Sequence, residues 1–199
     1  MSSTDSLKAF RERRERLFAK ANPRVRPFDY ARDAWVLWAA YDLGSFPSLK
    51  PDPHKEGHFK KPEDLFAYFR AYALSKSSIL MVDEDHRFFR ERRGPVAMVS
   101  VEQNGWKLQP HFDFFHWATP RHRLAAAVSL MNMVSYDKKF GACTVSVGER
   151  DEEFCQHIRD RYGLLRFVGR LDNGRPDGDE LTYAVPMKNA RRAEMKEAA

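Results

Sequence analysis

The stretch Phe112–Val128, FDFFHWATPRHRLAAAV, decides how this chain folds. Its aromatic-rich first half reads as a buried strand. Pro120-Arg121-His122-Arg123 then carries it straight into an alanine-rich helix, with proline suited to the first turn. A strand that feeds a helix start is a common phosphate-binding place in α/β proteins. The first N–H groups of the helix lack internal partners, and its dipole attracts anions. The glycines that usually admit the ligand are missing here.

Upstream of that junction, the residues Leu7, Phe10, Leu17 and Phe18 pattern a basic helix over Leu7–Lys20, ended by Asn22-Pro23. Val25–Phe28 is a short extended piece. Tyr30–Leu43 is a helix with Trp35, Leu37, Trp38 and Tyr41 in its buried region, closed by Gly44. Ser45–Lys61 is a long loop, and Pro62-Glu63-Asp64 opens a helix that runs through Leu74. Ser78–Asp83 and Val96–Glu102 are strands. Gln103-Asn104-Gly105 is a hairpin signal leading to a third strand, Trp106–Trp117.

Downstream, Arg121–Tyr136 is a helix, Ala142–Val147 a strand, and Asp151–Tyr162 a helix stopped by Gly163. Leu165–Arg170 and Leu181–Val185 form a closing strand pair around the turn-rich Asp172–Asp179, and Lys188–Ala199 is a charged tail of frayed helix. The order β–α–α–β–β–β–α–β–α–β–β describes an α/β mixed sheet with helices on both faces.

With 43% hydrophobic and 13% aromatic residues, the chain of 199 is globular and long enough for one full core. No apolar run reaches membrane-spanning length, and the polar start Met1–Asp5 is not a signal peptide, so a cytoplasmic location is expected. The net charge of +6 equals that of the segment Leu7–Arg26, where eight basic residues face Glu12 and Glu15. The remainder balances, which argues against a nucleic-acid-gripping surface. Cys143 and Cys155 suit neither a disulfide framework nor a metal cluster.

The element order and three junctions resemble the GNAT superfamily of acyl-CoA-dependent N-acyltransferases. Val25-Arg26-Pro27-Phe28 and the helix after it look like the opening strand and first helix. Ala118-Thr119-Pro120-Arg121-His122-Arg123 looks like the entry to the pyrophosphate loop. Arg161–Gly169, RYGLLRFVG, looks like the end of the last helix entering the next strand. The resemblance spans roughly Val25 to Met187. It places a GNAT-like domain over 23–187, between the basic arm read over residues 1–22 and the charged tail over 188–199. It also implies a mostly antiparallel sheet of six to seven strands.

Acetyl-CoA is the cofactor this resemblance implies. Its pyrophosphate would lie on Arg121, His122, Arg123, Leu124, Ala125, Ala126 and Val128, with the backbone N–H groups of Trp117 and Ala118 serving the thioester oxygen and the pantetheine arm. Laid over the family signature, Arg123 takes the first position, Ala126 the first glycine and Val128 the last, so a branched side chain replaces a glycine. The tyrosine that protonates the departing thiolate in many relatives falls on Arg159; Tyr162 lies three residues on and is the tyrosine available. The asparagine found in many relatives at that helix's start is Glu152 here.

An acyl transfer needs a base for the amine, donors for the oxyanion and an acid for the thiolate. Strand alternation puts His111, Asp113, Phe115 and Trp117 on one face and Phe112, Phe114 and His116 on the other. Asp113, polar among aromatics, would be raised in pKa by burial and become a usable base, the other reading being a sheet-edge or partnered carboxylate; His116 is a second candidate, the other reading being a hydrogen-bonded core histidine. His54 and His58 lie among Pro51, Pro53 and Gly57, which oppose the helix a metal pair would need, so no metal is expected. Arg87–Arg93, RFFRERR, reads as a solvated hairpin.

Two functions follow. The first is an N-acetyltransferase acting on a small-molecule or protein amine. The second is a GNAT-fold protein without catalysis, of the kind familiar from phage genomes, docking into a virion or other assembly through Leu7–Lys20. Neither involves a membrane or nucleic acid.

Overall fold

The computed structural model describes residues 24–46, 59–75, 77–85, 93–105, 107–136, 141–175 and 178–187. The helical arm Leu7–Lys20, the His54/His58 segment, the residues 87–92 of the basic hairpin and the tail Lys188–Ala199 lie outside them.

The elements are β1 (Val25–Pro27), α1 (Tyr30–Asp42), α2 (Pro62–Ser75), β2 (Ser77–Asp85), β3 (Arg93–Asn104), β4 (Lys107–Phe114), α3 (Pro120–Ser135), β5 (Ala142–Gly148), a 3₁₀ turn (Glu149–Asp151), α4 (Glu152–Tyr162), β6 (Arg166–Arg175) and β7 (Gly178–Ala184). This is the order expected from the sequence. The strands form one seven-stranded sheet in the order β1-β2-β3-β4-β5-β7-β6. β4 and β5 pair parallel, joined by the α3 crossover that a parallel link requires. Among the described residues their shared ladder has two rungs, Lys107 with Ala142 and Leu108 with Cys143.

The chain forms two compact units, one of residues 1–101 and 112–126, the other of 102–111 and 127–199. In the first, α1 starts because the Asp29 carboxylate caps the N–H groups of Ala31 and Arg32, at 2.9 and 3.3 Å. Its buried residues Ala34, Leu37, Ala40 and Tyr41 recur at helical spacing. Trp35 sits off that stripe and is 67% exposed, against the expectation that it is buried. The core joins Leu37, Phe46, Leu65, Phe69, Met81 and Phe115. An ion cluster ties β1 to its neighbours: Arg26 donates to Asp33 on α1 at 2.7 Å and to Asp83 on β2 at 2.7 Å. Burial works against the charge on Arg26, but hydrogen bonds to Asp33 and Asp83 outweigh it and raise its pKa above the ordinary value.

In the second unit, β5 and β7 pair antiparallel over five rungs, from Thr144–Ala184 to Gly148–Glu180. α4 ends where Gly163 adopts the left-handed conformation, φ 63°, and donates its N–H to Arg159 O at 3.0 Å. Residues 172–175 and 178–179, expected to be turn, are largely strand. Asn173 takes φ 53° and gives its N–H to the Asp179 carboxylate at 2.8 Å, so the irregular residues are absorbed into register shifts of the ladder. Both cysteines are buried, and burial pushes each thiol up to about 12.

Candidate active site

β4 ends at Phe114, three residues earlier than the sequence pattern indicates, so His116 and Trp117 belong to a turn and not to the strand. Two bonds make that turn. Ser45 Oγ accepts the His116 N–H at 2.8 Å, and Phe115 O accepts the Ala118 N–H at 2.8 Å. The Ala118 N–H assigned to a ligand by resemblance is therefore already engaged. His116 is exposed at the turn; it is not packed in an apolar strand. Phe115 is fully buried, and Trp117 lies 5.0 Å from it with its indole N–H donating to Pro95 O at 3.0 Å.

The helix starts at Pro120, one residue before the expected Arg121. Thr119 caps α3 through its hydroxyl, which accepts the His122 N–H at 3.3 Å, while His122 Nδ1 accepts the Thr119 N–H at 3.4 Å. This is a reciprocal capping box with histidine in the place of the usual Glu or Gln. Together with Pro120 at the first helical position, it begins the helix before Arg123. The residues laid over the glycine signature, Leu124, Ala125, Ala126 and Val128, are therefore interior helix and not a phosphate loop. Their N–H groups serve the carbonyls four residues back, and Val128 lies about 12 Å along the axis from Pro120. Ala126 is wholly buried.

What remains for an anion is the start itself. Pro120 has no N–H, those of His122 and Arg123 are taken, and Arg121 keeps the first-turn donor with no recorded partner among the described residues. The Arg121 side chain is exposed. Arg123 donates to Ala118 O at 3.3 Å, and its guanidinium carbon stands 5.8 Å from the Phe114 ring centroid. The helix start thus offers two arginines and one backbone donor, while the N–H groups of Leu124–Val128 are spent within the helix.

Asp113 lies one residue from the end of β4, half-buried, and burial pushes its pKa up to about 6. Tyr162 closes α4 at 42% exposure, with its ring edge-on to His157 at 6.2 Å. Arg159 is held by Asp160 at 2.7 Å. Sequence reasoning missed one ionisable pair: His111 Nε2 is buried without a hydrogen bond, 4.0 Å from Glu102 Oε2 across the β3–β4 hairpin. A two-residue Asn104-Gly105 loop would set Glu102 opposite Lys107, so counting along the hairpin gave no signal of this pair. No cluster of three metal-ligating side chains occurs among the described residues. No described helix is long and apolar enough to cross a membrane.

No family model matches the sequence, and no curated protein matches it either. Solved structures do match. The ribosomal-protein-S5-alanine acetyltransferase of Vibrio fischeri aligns over 82% of this chain and 92% of its own, with a TM-score of 0.58 at 10% identity. A GNAT-family acetyltransferase of Bacillus anthracis aligns over 81% and 92%, with 0.53 at 17%. A chimaera of the Vibrio cholerae spermidine N-acetyltransferase SpeG aligns over 81% and 93%, with 0.56 at 8%. Sheet order, the α3 crossover and these alignments agree: the chain has the fold of the GNAT acetyltransferases.

Proposed function

We propose that the chain is an N-acetyltransferase that moves the acetyl group of acetyl-CoA to an amine. One observation carries the reading. The first turn of α3 holds Arg121, His122 and Arg123 and no acidic residue. The positive end of the helix dipole disfavours cations there, and a bound anion turns that arrangement from a cost into a binding site. Arg121 and Arg123 would hold the pyrophosphate by charge-assisted hydrogen bonds. The ladder between β4 and β5, two rungs among the described residues, supports the same reading, because backbone groups past Leu108 remain for an extended, amide-bearing ligand to pair with.

Acetyl-CoA supplies the acyl group already activated as a thioester. The Asp113 carboxylate accepts the amine's proton as nitrogen attacks, and its pKa near 6 leaves it ionised at neutral pH yet basic enough to take that proton. His116, exposed beside it in sequence, is the second candidate base, and the Tyr162 hydroxyl is the candidate donor to the leaving sulfur. The acceptor is an amine, as it is for the spermidine and ribosomal-protein enzymes among the structural neighbours.

Titration calorimetry of acetyl-CoA tests the reading, with Arg121→Glu and Arg123→Glu beside the wild type. Micromolar binding that either change abolishes supports it. No heat at millimolar ligand, from protein shown to be folded, ends it.

A further inference from the structure

Arg123 is an exposed side chain of a type that usually samples many rotamers, yet two contacts hold it in one. Helical side chains lean towards the N-terminus of their helix, so Arg123, near the start of α3, reaches back over the end of β4. There its Nε donates to Ala118 O, and the guanidinium is drawn to the ring of Phe114. Phe114 is itself backed. Strand alternation puts Phe112 on the same face of β4, and the two rings stack with centroids 5.5 Å apart and 19° between their planes. Phe112 therefore steadies Phe114, and Phe114 bears the charged group.

We propose, on the acetyltransferase reading, that Phe114 is a positioning residue: it presets the Arg123 guanidinium for a diphosphate, acting through that side chain and not by touching the ligand. The guanidinium serves its neighbours without conflict. The ring lies against it, Nε is spent on a carbonyl, and no partner of Nη1 or Nη2 is recorded among the described residues. The edge formed by those two groups carries parallel N–H donors, which match a pair of phosphate oxygens.

A loose arginine gives up rotamer freedom when it grips an anion, whereas one already held gives up little and so binds more tightly. The benefit is specific to arginine. A lysine ammonium is a point charge on a flexible stem, with neither a planar face to lay on the ring nor a fork to present afterwards.

Calorimetric titration of the full chain with acetyl-CoA and with inorganic pyrophosphate tests this in wild type, Phe114→Leu, Phe114→Tyr, Arg123→Lys and the Phe114→Leu, Arg123→Lys double variant. Wild type is expected to bind both ligands. Phe114→Leu weakens both about fivefold, while Phe114→Tyr, which keeps a ring face, binds as wild type does. Beside Arg123→Lys, the change Phe114→Leu has an effect below about twofold, because the planar group that the ring positions is gone. In ligand-free wild type, nitrogen NMR relaxation should show the Arg123 Nε–H ordered like the backbone and the Arg121 Nε–H mobile. Phe114→Leu binding like wild type, a tyrosine that fails to rescue, or an equal loss beside Arg123→Lys overturns the proposal and leaves the acetyltransferase reading standing. An Arg123 Nε–H as mobile as that of Arg121 also overturns it, and needs no variant to fold. Absence of binding by folded wild type overturns both.

Discussion

Replacing Asp113 with asparagine should make the protein more stable and less active at once, and the sizes follow from one displaced equilibrium. Burial holds the Asp113 carboxyl at a pKa of about 6 in the folded chain, while an unfolded chain leaves it near 3.9. Below about pH 4 both states are protonated and the group is neutral towards stability. As pH rises from there, the unfolded state ionises first, and the folded state loses ground until pH passes the folded value. Above that the penalty is level, about two pKa units or roughly 3 kcal/mol. Asparagine keeps the shape and never ionises. The stability advantage of Asp113→Asn should therefore grow by about 2 kcal/mol between about pH 4.5 and about pH 7.5. Urea unfolding followed by circular dichroism at both pH values measures it. An advantage that does not change with pH, or an asparagine variant less stable at about pH 7.5, refutes the buried-carboxylate account. If Asp113 is the base, acetylation by wild type rises with pH through about 6, and the variant loses on the order of 10²–10⁴ in rate.

Arg121→Glu should act in opposite directions on fold and ligand: relieving the like-signed helix end, it stabilises the free protein by about 0.3–1 kcal/mol, while binding of inorganic pyrophosphate, read by thermal shift, disappears. Thr119→Ala removes the hydroxyl that caps α3 and should cost about 1 kcal/mol in urea unfolding. Arg26→Met strands the wholly buried Asp33 carboxylate and should cost about 3–5 kcal/mol; a loss below 1 kcal/mol would mean the cluster relaxes around the gap. Cys143 and Cys155 should stay unmodified by a thiol reagent at neutral pH and react only after unfolding, since both are buried and their thiols are pushed up to about 12.

The element order was readable because each junction carries its own stop signal: Gly44 after α1, Asn104-Gly105 between β3 and β4, Gly163 after α4. These act within a few residues, where pattern reading is strong. The site was harder because distant partners build it. The end of β4 depends on Ser45, 71 residues away, accepting the N–H of His116. The start of α3 was legible to within one residue, but its cap was not, because His122 stands in for the glutamate of a capping box, an exchange that the familiar pattern does not include. The glycine signature was therefore laid over residues that the fold uses as helix interior. The upward pKa shift of Asp113 was legible because a carboxylate among aromatics on a strand loses its water. Trp35 was not, since a tryptophan in an amphipathic helix looks buried until the stripe of Ala34, Leu37 and Tyr41 is known.

The Arg26 cluster changes how this protein should breathe. A three-residue strand is too short to hold its place by ladder alone, and Pro27 contributes no donor to it. β1 keeps its position because one guanidinium is shared between α1 and β2. The strand, the first turn of α1 and the matching part of β2 can then part from one another only by exposing the same buried charges. Hydrogen exchange should find the amides of Phe28, Asp33 and Asp83 opening together, with one free energy and one dependence on denaturant, as a single cooperative block in place of an edge that frays residue by residue.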